Sequence, residues 1–244
     1  MDYTNFINTA LKENNISEPS PESLKKLSDF VDRLVAVNEQ MNLTAITDPE
    51  EIAVKHVADS LECIEYIKNG AKLLDVGSGA GFPAVPIAVC RPDLSVTALD
   101  STAKKIKFIA DTASAVKIDN LSAIVGRAEE LCSTAKKDYP IYREKYDVVT
   151  ARAVARLNVL CELCLPFVKI GGVFISMKSR LASDEIDEAR QAVKILGGEI
   201  AENVSLSITC KGEELSRSLI IIQKIAPTPR NYPRSYSSIN KKPL

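Results

Sequence analysis

The sequence lacks any apolar run long enough to cross a membrane. The longest uncharged stretch in the middle of the chain, residues 76–90, is interrupted by three glycines and two prolines, whereas a membrane-spanning helix needs about 20 apolar residues. The first residues also lack the basic and apolar regions of a signal peptide. The six cysteines lie mostly in apolar runs, which indicates reduced thiols rather than a secreted disulfide framework. We therefore expect a cytoplasmic protein with no membrane partner.

The sequence also has few histidines and a net charge close to zero. His56 is the only histidine. Cys161 and Cys164 have the spacing of half a zinc site, but no second pair or nearby histidine completes four ligands, so no metal is predicted. The net charge of −1 argues against a strongly basic nucleic-acid binder. The charge is uneven, however, because residues 223–244 hold five basic and no acidic residues, which permits a local anionic partner there.

The order of apolar patterns predicts a helical segment followed by an α/β domain. Helix starts are indicated at Ser20-Pro21 and Asp48-Pro49, each a capping residue followed by proline. From residue 71, short apolar strands alternate with helical patterns, which predicts a doubly wound, mostly parallel sheet with helices on both faces. The predicted parallel strands are 72–76, 95–100, 121–125, 146–151 and 173–177. The predicted helices between and after them are 83–90, 102–116, 128–135, 155–168 and 184–196.

The end of the chain differs from the rest. Residues 199–208 and 218–224 predict an antiparallel strand pair at one sheet edge, joined by the polar stretch 211–214. The last residues contain several prolines and no periodicity, which predicts an extended tail. We therefore divide the chain into a helical extension (1–70), a sheet domain (71–225) and a basic, proline-rich tail (226–244).

The run Asp75-Val76-Gly77-Ser78-Gly79-Ala80-Gly81-Phe82-Pro83 is the most informative segment. Glycine suits a backbone with positive φ and permits close approach of a ligand, and the amides at the start of the next helix are expected to face a ligand carboxylate. Dinucleotide-binding loops have G-x-G-x-x-G, whereas G-x-G-x-G with Phe82 is typical of S-adenosylmethionine loops. The segment predicts a class I S-adenosylmethionine-dependent methyltransferase that binds the cofactor with Asp75, Gly77, Gly79, Gly81 and Phe82. A nicotinamide enzyme and a glycine turn without a ligand remain alternatives.

Polar residues at two other places complete the candidate site. Asp100 ends the second predicted strand and is placed for the ribose hydroxyls of the cofactor. Arg152 and Arg156 follow the fourth strand at the carboxyl edge of the sheet, where α/β sites form, although solvated surface arginines would have the same pattern. His56, Asp59 and Ser60 share one face of the third predicted helix, at spacings of three and four, which predicts either a pocket wall or a hydrogen-bonded helix–sheet junction. These three residues and Arg156 are candidates for contact with the substrate.

Some methyltransferase chemistries lack their motifs here. Cytosine C5 methylation needs a nucleophilic cysteine, often after proline, and the sequence contains no Pro-Cys. Methylation of exocyclic base amines commonly uses Asn/Asp-Pro-Pro-aromatic after the fourth strand, where this chain has residues 150–154, Thr-Ala-Arg-Ala-Val. Methylation of cytosine C5 or of an exocyclic amine is therefore not expected.

Several of these segments together resemble one family. Met41-Asn42-Leu43-Thr44, residues 56–60, the glycine loop, Asp100-Ser101 and residues 150–155 are similar to the 16S ribosomal RNA methyltransferase G family, also called glucose-inhibited division protein B. The tail segments 228–234 and 242–244 are similar to those of Gram-positive members. Residues 235–239 depart from the usual basic stretch with glycine and proline.

The resemblance implies transfer of a methyl group to N7 of a guanine in 16S ribosomal RNA, with free RNA and the small-subunit particle both open as substrate. By motif, Gly77 and Phe82 flank the cofactor loop, Ala128 and Glu129 lie near the adenine, and Arg152 lies beside the transferred methyl. No general base is expected, because N7 carries no proton. A small-molecule methyltransferase and a non-catalytic S-adenosylmethionine-binding regulatory protein are the alternatives, and the protein is expected to be a monomer.

The tail has two interpretations. Arg230 and Arg234 lie near tyrosines, and basic residues interleaved with aromatic ones suit single-stranded RNA. A structural strap along the sheet edge would also accommodate the prolines. The sequence does not favour either.

Overall fold

The computed structural model describes residues 1–134, 141–152, 154–179 and 183–244. The strands are β1 (Lys72–Val76), β2 (Ser95–Asp100), β3 (Leu121–Val125), β4 (Tyr146–Arg152), β5 (Val168–Lys178), β6 (Gly198–Cys210) and β7 (Glu213–Lys224). They form one sheet in the order β3-β2-β1-β4-β5-β7-β6. β1 to β5 pair in parallel, and β7 is antiparallel to both β5 and β6. The predicted parallel sheet with an antiparallel edge pair is confirmed.

Helices precede the sheet and alternate with its strands. They are α1 (Thr4–Glu13), α2 (Pro21–Met41), α3 (Pro49–Ile52), α4 (Asp59–Leu61), α5 (Ala84–Cys90), α6 (Ala103–Val116), α7 (Ala128–Leu131), α8 (Leu157–Cys164), α9 (Ser183–Ile195) and α10 (Tyr236–Lys241). The predicted helix from residue 128 is shorter than expected, and its predicted end at residue 135 lies outside the described residues. No helix in the described ranges is long and apolar enough to cross a membrane.

The two predicted helix starts in the N-terminal segment are confirmed. The Ser20 hydroxyl accepts a hydrogen bond from the Ser23 amide at 3.1 Å, and the Asp48 carboxylate accepts one from the Glu51 amide at 3.0 Å. Proline occupies the first helical position after each cap, where its missing N–H costs no helical hydrogen bond.

The segment after Asp48 is not one regular α-helix. Residues Ala53–Ala58 form a π-helical segment between α3 and α4. The hydrogen bonds of a π-helix run from i to i+5, so each turn holds more residues than an α-helical turn. The faces on either side of this segment are therefore not those that regular helical spacing predicts.

The N-terminal helices share a hydrophobic core with one face of the sheet. The Phe30 ring of α2 lies 5.1 Å from that of Phe82 and 6.4 Å from that of Phe108, measured between ring centroids. Phe30 is fully buried, and Val85 and Ile109 belong to the same cluster. Residues 1–70 are therefore packed against the sheet, and the three-part division of the chain stays a prediction.

The other face of the sheet packs against α8 and α9. Phe167 and Phe174 are fully buried there, together with Cys161 and Cys164. Burial raises the pKa of both thiols, which keeps them protonated. The six cysteines are free thiols, as the sequence predicts.

The antiparallel edge pair has a tighter turn than predicted. The ladder of β6 and β7 continues to the Cys210–Glu213 pair, so Lys211 and Gly212 alone form the turn. Both have positive φ, at 52° and 77°, as a two-residue hairpin turn requires.

The prediction of an extended tail is wrong. Residues 236–241 form α10, and Ile239 is fully buried against the core that contains α8. The guanidinium of Arg143 donates to the carbonyl oxygens of Thr228, Pro229 and Tyr232 at 2.7, 3.2 and 2.8 Å. These bonds hold the tail against the domain, as the strap interpretation expects.

Candidate active site

The carboxyl edge of the parallel strands borders a cavity of about 570 Å³. Its wall comprises the glycine loop after β1, the end of β2, the turn after β3 and Arg152 at the end of β4. Ligands of doubly wound sheets bind at this edge. The cavity is also within the usual size range of small-molecule sites, about 300–1,000 Å³.

The glycine loop is fixed by its own hydrogen bonds. The amides of Gly77 and Ser78 donate to the Leu99 carbonyl at 2.8 and 3.0 Å. The amides of Gly81 and Phe82 donate to the Ser78 carbonyl at 2.8 and 3.0 Å. The loop therefore has its shape before any ligand binds.

The three loop glycines have different surroundings. Gly77 and Gly79 line the cavity, and a side chain on Gly79 would enter open space, with the nearest atom 3.9 Å from its Cβ. A Cβ on Gly81 would lie 2.7 Å from Val85 and 3.4 Å from Phe30, inside the core. The predicted cofactor contact of Gly81 is therefore corrected: its positive φ of 104° favours glycine, and its missing side chain permits close approach to Val85 of α5.

Asp75 is also beneath the loop rather than in the cavity. It is fully buried, and its Oδ1 accepts a hydrogen bond from the Thr150 hydroxyl at 3.0 Å while Oδ2 has no partner. Burial raises the pKa of this carboxyl to about 6. No residue of α5 lines the cavity. The predicted role of this helix start in ligand binding is therefore not supported.

Asp100 has the position that the sequence predicts. Its Oδ2 accepts a hydrogen bond from the Gly79 amide at 3.1 Å, and its Oδ1 accepts one from the Thr102 amide at 2.8 Å. A carboxylate has about four acceptor positions, so both oxygens can accept further bonds from a ligand in the cavity. The two backbone bonds hold the carboxylate in place for this.

Residues 126–129 line the cavity at the carboxyl end of β3. Ala128 and Glu129 both line it, which agrees with the position that the resemblance implies. Glu129 is buried, and its carboxylate lies 3.5 Å from the Arg127 guanidinium. The backbone turn and the acid together offer polar partners for the edge of a heterocyclic base.

Tyr236 of α10 also lines this end of the cavity, and the sequence did not suggest it. The Arg127 guanidinium lies 5.9 Å from the centre of its ring. The tyrosine is more than 100 residues from Arg127 in the sequence, and no motif connects the two. The sequence shows only that an apolar residue, Ile239, follows three positions later; its burial in the core is known from the structure.

A second cavity of about 610 Å³ adjoins the first. His56, Arg152 and Val154 line both cavities and so form the shared wall. Asp59 and Arg156 line the second cavity alone. The structure thus brings together most of the residues that the sequence proposed for cofactor and substrate.

Arg152 is held at this wall by a shared carboxylate. Its guanidinium donates to Asp59 Oδ2 at 3.0 Å and to the Lys55 carbonyl at 3.1 Å. Asp59 Oδ1 accepts a second charged bond, from Arg217 of β7 at 2.6 Å. The Arg152 guanidinium also lies 5.5 Å from the Phe82 ring centre, at a cation–π distance.

His56 is neutral at physiological pH. Burial and, to a smaller extent, the nearby charge of Arg152 lower its pKa to about 4. Its Nε2 is 2.8 Å from the Thr44 hydroxyl, and its ring stacks on Phe82 at 4.6 Å. The imidazole therefore adds an uncharged flat surface to the wall between the cavities.

Ser60 does not belong to either cavity wall. It is fully buried, and its hydroxyl donates to the His56 carbonyl of its own helix. The predicted shared face of His56, Asp59 and Ser60 is therefore wrong for Ser60. The π-helical segment that ends at Ala58 changes the spacing on which the prediction depended.

Glu62 and Lys178 are two of the charged residues in the second cavity that the sequence analysis missed. Burial and, to a smaller extent, the neighbouring charge of Asp59 raise the pKa of Glu62 to about 7. Lys178 of β5 donates to the Ala155 carbonyl at 2.7 Å and to Glu185 at 2.6 Å. Neither residue lies in a motif.

The three arginines proposed for RNA differ in availability. Arg156 is exposed at the second cavity, where it pairs with Glu188. Arg230 is exposed in the tail. Arg234 is committed to Glu162, which is fully buried and accepts bonds from its guanidinium at 2.6, 2.9 and 3.1 Å. For Arg234 the structure therefore indicates an anchoring role instead of a free phosphate contact.

Comparison with known proteins identifies the family. Residues 23–217 match the family described as rRNA small subunit methyltransferase G. Relatives named Ribosomal RNA small subunit methyltransferase G include one from Lachnoclostridium phytofermentans, 44% identical over 91% of this chain and 89% of its own. Another, from Lactobacillus delbrueckii subsp. bulgaricus, is 42% identical over 92% of this chain and 93% of its own.

Solved structures share the fold at low identity. M. jannaschii TYW2 in complex with AdoMet has a TM-score of 0.53 and 14% identity, covering 68% of this chain and 77% of its own. P. horikoshii TYW2 in complex with MeSAdo has a TM-score of 0.53 and 20% identity, covering 69% and 63%. The predicted class I methyltransferase fold is confirmed. With a family match over 23–217 and relatives above 40% identity over nine-tenths of its length, the chain belongs to the rRNA small subunit methyltransferase G family.

Proposed function

We propose that this chain transfers the methyl group of S-adenosylmethionine to N7 of a guanine in 16S ribosomal RNA of the small ribosomal subunit. Family membership supports the reaction class and the RNA. The observation that carries the proposal is the pair of adjoining cavities with one shared wall. Methyl transfer needs a donor and an acceptor side by side, and two such cavities can hold one each.

The first cavity fits S-adenosylmethionine. The open space at Gly79 accommodates the methionine part, since no side chain occupies it. Asp100 can accept hydrogen bonds from the ribose hydroxyls, and Ala128 and Glu129 border the space for the adenine. Gly77, Phe82 and Arg152 complete the proposed binding residues. Bound there, S-adenosylmethionine supplies an electrophilic methyl group on a positively charged sulfur.

The second cavity suits a guanine that has left the base stack, as enzymes acting on a nucleic-acid base require. Guanine carries N–H donors on its Watson–Crick edge, and Asp59 and Glu62 offer carboxylate acceptors in this cavity. Arg156 and Lys178 supply positive charge for the RNA phosphates at its border. His56 gives an aromatic surface against which a base can pack.

The residues at the shared wall favour displacement without a base. The lone pair of N7 attacks the methyl carbon, the carbon–sulfur bond breaks, and the positive charge moves from sulfur to the guanine. No proton is removed, so neutral His56 need not act as a base. The chain contributes alignment and a preformed electrostatic environment, with Arg152 balanced by Asp59 and the Phe82 ring beside them.

The setting of the reaction follows from its substrate. We propose that the protein works in the cytoplasm, where ribosomal subunits are assembled in bacteria, and that it acts as a monomer. Of the two tail arginines proposed for RNA contact, Arg230 is the exposed one and Arg234 is bound to Glu162.

A methyl-transfer assay tests the proposal. Tritiated S-adenosylmethionine is incubated with the protein and either free 16S ribosomal RNA or small-subunit particles from cells that lack the protein. The RNA should incorporate tritium. Treatment with borohydride and aniline, which cleaves RNA at 7-methylguanine, should then cut the labelled RNA at one guanine. The Gly79→Asp variant is the negative control. RNA that accepts methyl groups but resists cleavage would rule out N7 as the acceptor.

A further inference from the structure

One residue at the cavity stands apart from the elements that form the rest of its wall. Tyr236 begins α10, beyond the last strand of the sheet, yet it lines the same cavity as the glycine loop. Its side chain is 41% exposed. An exposed aromatic ring at the end of a cavity presents apolar surface that a flat ligand can cover.

The structure holds this tyrosine in place from both sides. Before it, Arg234 binds buried Glu162 of α8 through its guanidinium and, at 2.8 Å, through its backbone amide. After it, Ile239 is fully buried against the same core. The Ser235 carbonyl accepts bonds from the amides at 238 and 239, at 2.9 and 3.0 Å, which closes the first turn of α10. The backbone of Tyr236 therefore has little freedom to leave the cavity.

The ring also has a fixed partner. The Arg127 guanidinium lies 5.9 Å from its centre, and Arg127 belongs to the turn whose residues 126–129 line the same end of the cavity. Attraction between a cation and an aromatic face is worth about 0.5–1 kcal/mol at exposed sites. The contact connects the tail to the turn for which adenine contacts are proposed.

We propose that the C-terminal tail completes the cofactor site, with Tyr236 as a binding residue that covers the adenine and Arg234 and Glu162 as the pair that positions it. The inference rests on the proposed placement of S-adenosylmethionine in this cavity. It gives residues 226–244 a role in binding the cofactor, in addition to any contact with RNA. The adenine ring supplies the flat aromatic surface that Tyr236 can contact.

Calorimetry with S-adenosylhomocysteine and with adenosine tests the assignment. Contact between a base and an aromatic side chain is typically worth about 1–3 kcal/mol, so Tyr236→Ala should raise the dissociation constant of S-adenosylhomocysteine by roughly tenfold. The dissociation constant of adenosine should rise by the same factor, because the lost contact is with the adenine ring. Asn240→Ala, an exposed position on the same helix, should bind both ligands as the unmodified chain does.

Fluorescence gives a readout that a purely structural role would not change. The chain contains no tryptophan, so Tyr236→Trp introduces a single reporter at the cavity. Its emission should change when S-adenosylhomocysteine binds, and the affinity should stay close to that of the unmodified chain. Phe6→Trp is the matched control, because Phe6 is 39% exposed and lines neither described cavity. Its emission should not respond.

The anchoring pair is tested by Arg234→Met, which keeps most of the side-chain length. S-adenosylhomocysteine should bind more weakly than to the unmodified chain, and the Tyr236→Ala change should then cost less than it does alone. Binding by Tyr236→Ala within twofold of the unmodified chain would overturn the inference and leave the proposed function standing. No binding of S-adenosylhomocysteine by the unmodified chain would overturn both.

Discussion

Replacing Asp59 with asparagine tests the charge balance at the wall between the two cavities. The Asp59 carboxylate accepts bonds from Arg152 at 3.0 Å and Arg217 at 2.6 Å, and the three side chains are 13–15% exposed. Asparagine keeps the shape and one acceptor oxygen but removes the negative charge. Two guanidinium groups would then remain close together without the carboxylate that they share.

The expected loss of stability follows from the burial of these charges. Removing one partner of a buried ion pair costs about 3–5 kcal/mol. The group borders an open cavity in which water screens the charges, so we expect roughly 2–3 kcal/mol for Asp59→Asn. In a domain of this size each kcal/mol lowers the Tm by about 2–4 °C. Thermal unfolding should therefore begin some 5–10 °C lower, by the same conversion.

The ligands should respond differently to the same change. S-adenosylmethionine carries a positive charge on sulfur, whereas S-adenosylhomocysteine is neutral there. The uncompensated Arg152 repels the first more than the second, so Asp59→Asn should raise the ratio of their dissociation constants by several-fold, on the order of 1 kcal/mol. Calorimetry with both ligands measures this ratio.

Two control variants separate charge from packing. Adding Arg217→Gln to Asp59→Asn restores the net charge of the group and should recover part of the ratio and of the Tm. Asp111→Asn removes an exposed carboxylate that pairs with Lys107 and should change little. Equal weakening of both ligands by Asp59→Asn would refute the electrostatic reasoning, as would an unchanged Tm.

Five further changes have specific expected outcomes. Gly79→Asp should abolish binding of S-adenosylmethionine in calorimetry, because its side chain enters the cavity, whereas Gly81→Asp should lower the Tm by forcing a charge into the core. Asp100→Ala should weaken cofactor binding by about 1.5–3 kcal/mol, and an unchanged dissociation constant would assign the ribose to another residue. His56→Ala should retain a measurable methyl-transfer rate and should not shift any step that the pH–rate profile of the unmodified enzyme has near neutral pH, because the histidine pKa is about 4. Burial raises the pKa of Glu62 from 4.5 to about 7. The folded state therefore binds this proton more tightly than the unfolded state, and the free energy of unfolding falls as pH rises between these values. Glu62→Gln should reduce the difference in the free energy of unfolding between pH 5 and pH 8, measured by urea unfolding.

The sequence predicted the parts of the site that depend on local chain geometry. A strand, an acid and alternating glycines lie next to one another in the chain, so the loop and Asp100 could be placed at one edge of the sheet before the structure was known. Arg152 follows the same logic at the end of the fourth strand. The order of the parallel strands is enough to predict that these residues lie at the same edge of the sheet.

Side-chain direction and distant partners could not be predicted in the same way. Asp75 and Gly81 have the spacing of ligand-binding residues but face the core, because the pattern specifies the loop and not what packs beneath it. Arg217 meets Asp59 from an edge strand more than 150 residues later, and no local rule connects them. The π-helical segment moved Ser60 off the expected face.

The packing of Phe82, at the end of the glycine loop, on Phe30 of α2 has a consequence for protein engineering. Since the cofactor loop packs on α2, residues 71–225 alone should not keep the conformation of the loop when they are transferred into another protein. A chimera that exchanges the first 70 residues for those of another methyltransferase would also replace the α2 surface on which the glycine loop packs. Fusion and truncation designs should therefore treat α2 and the loop as one inherited unit, and should introduce new RNA specificity through residues outside this contact.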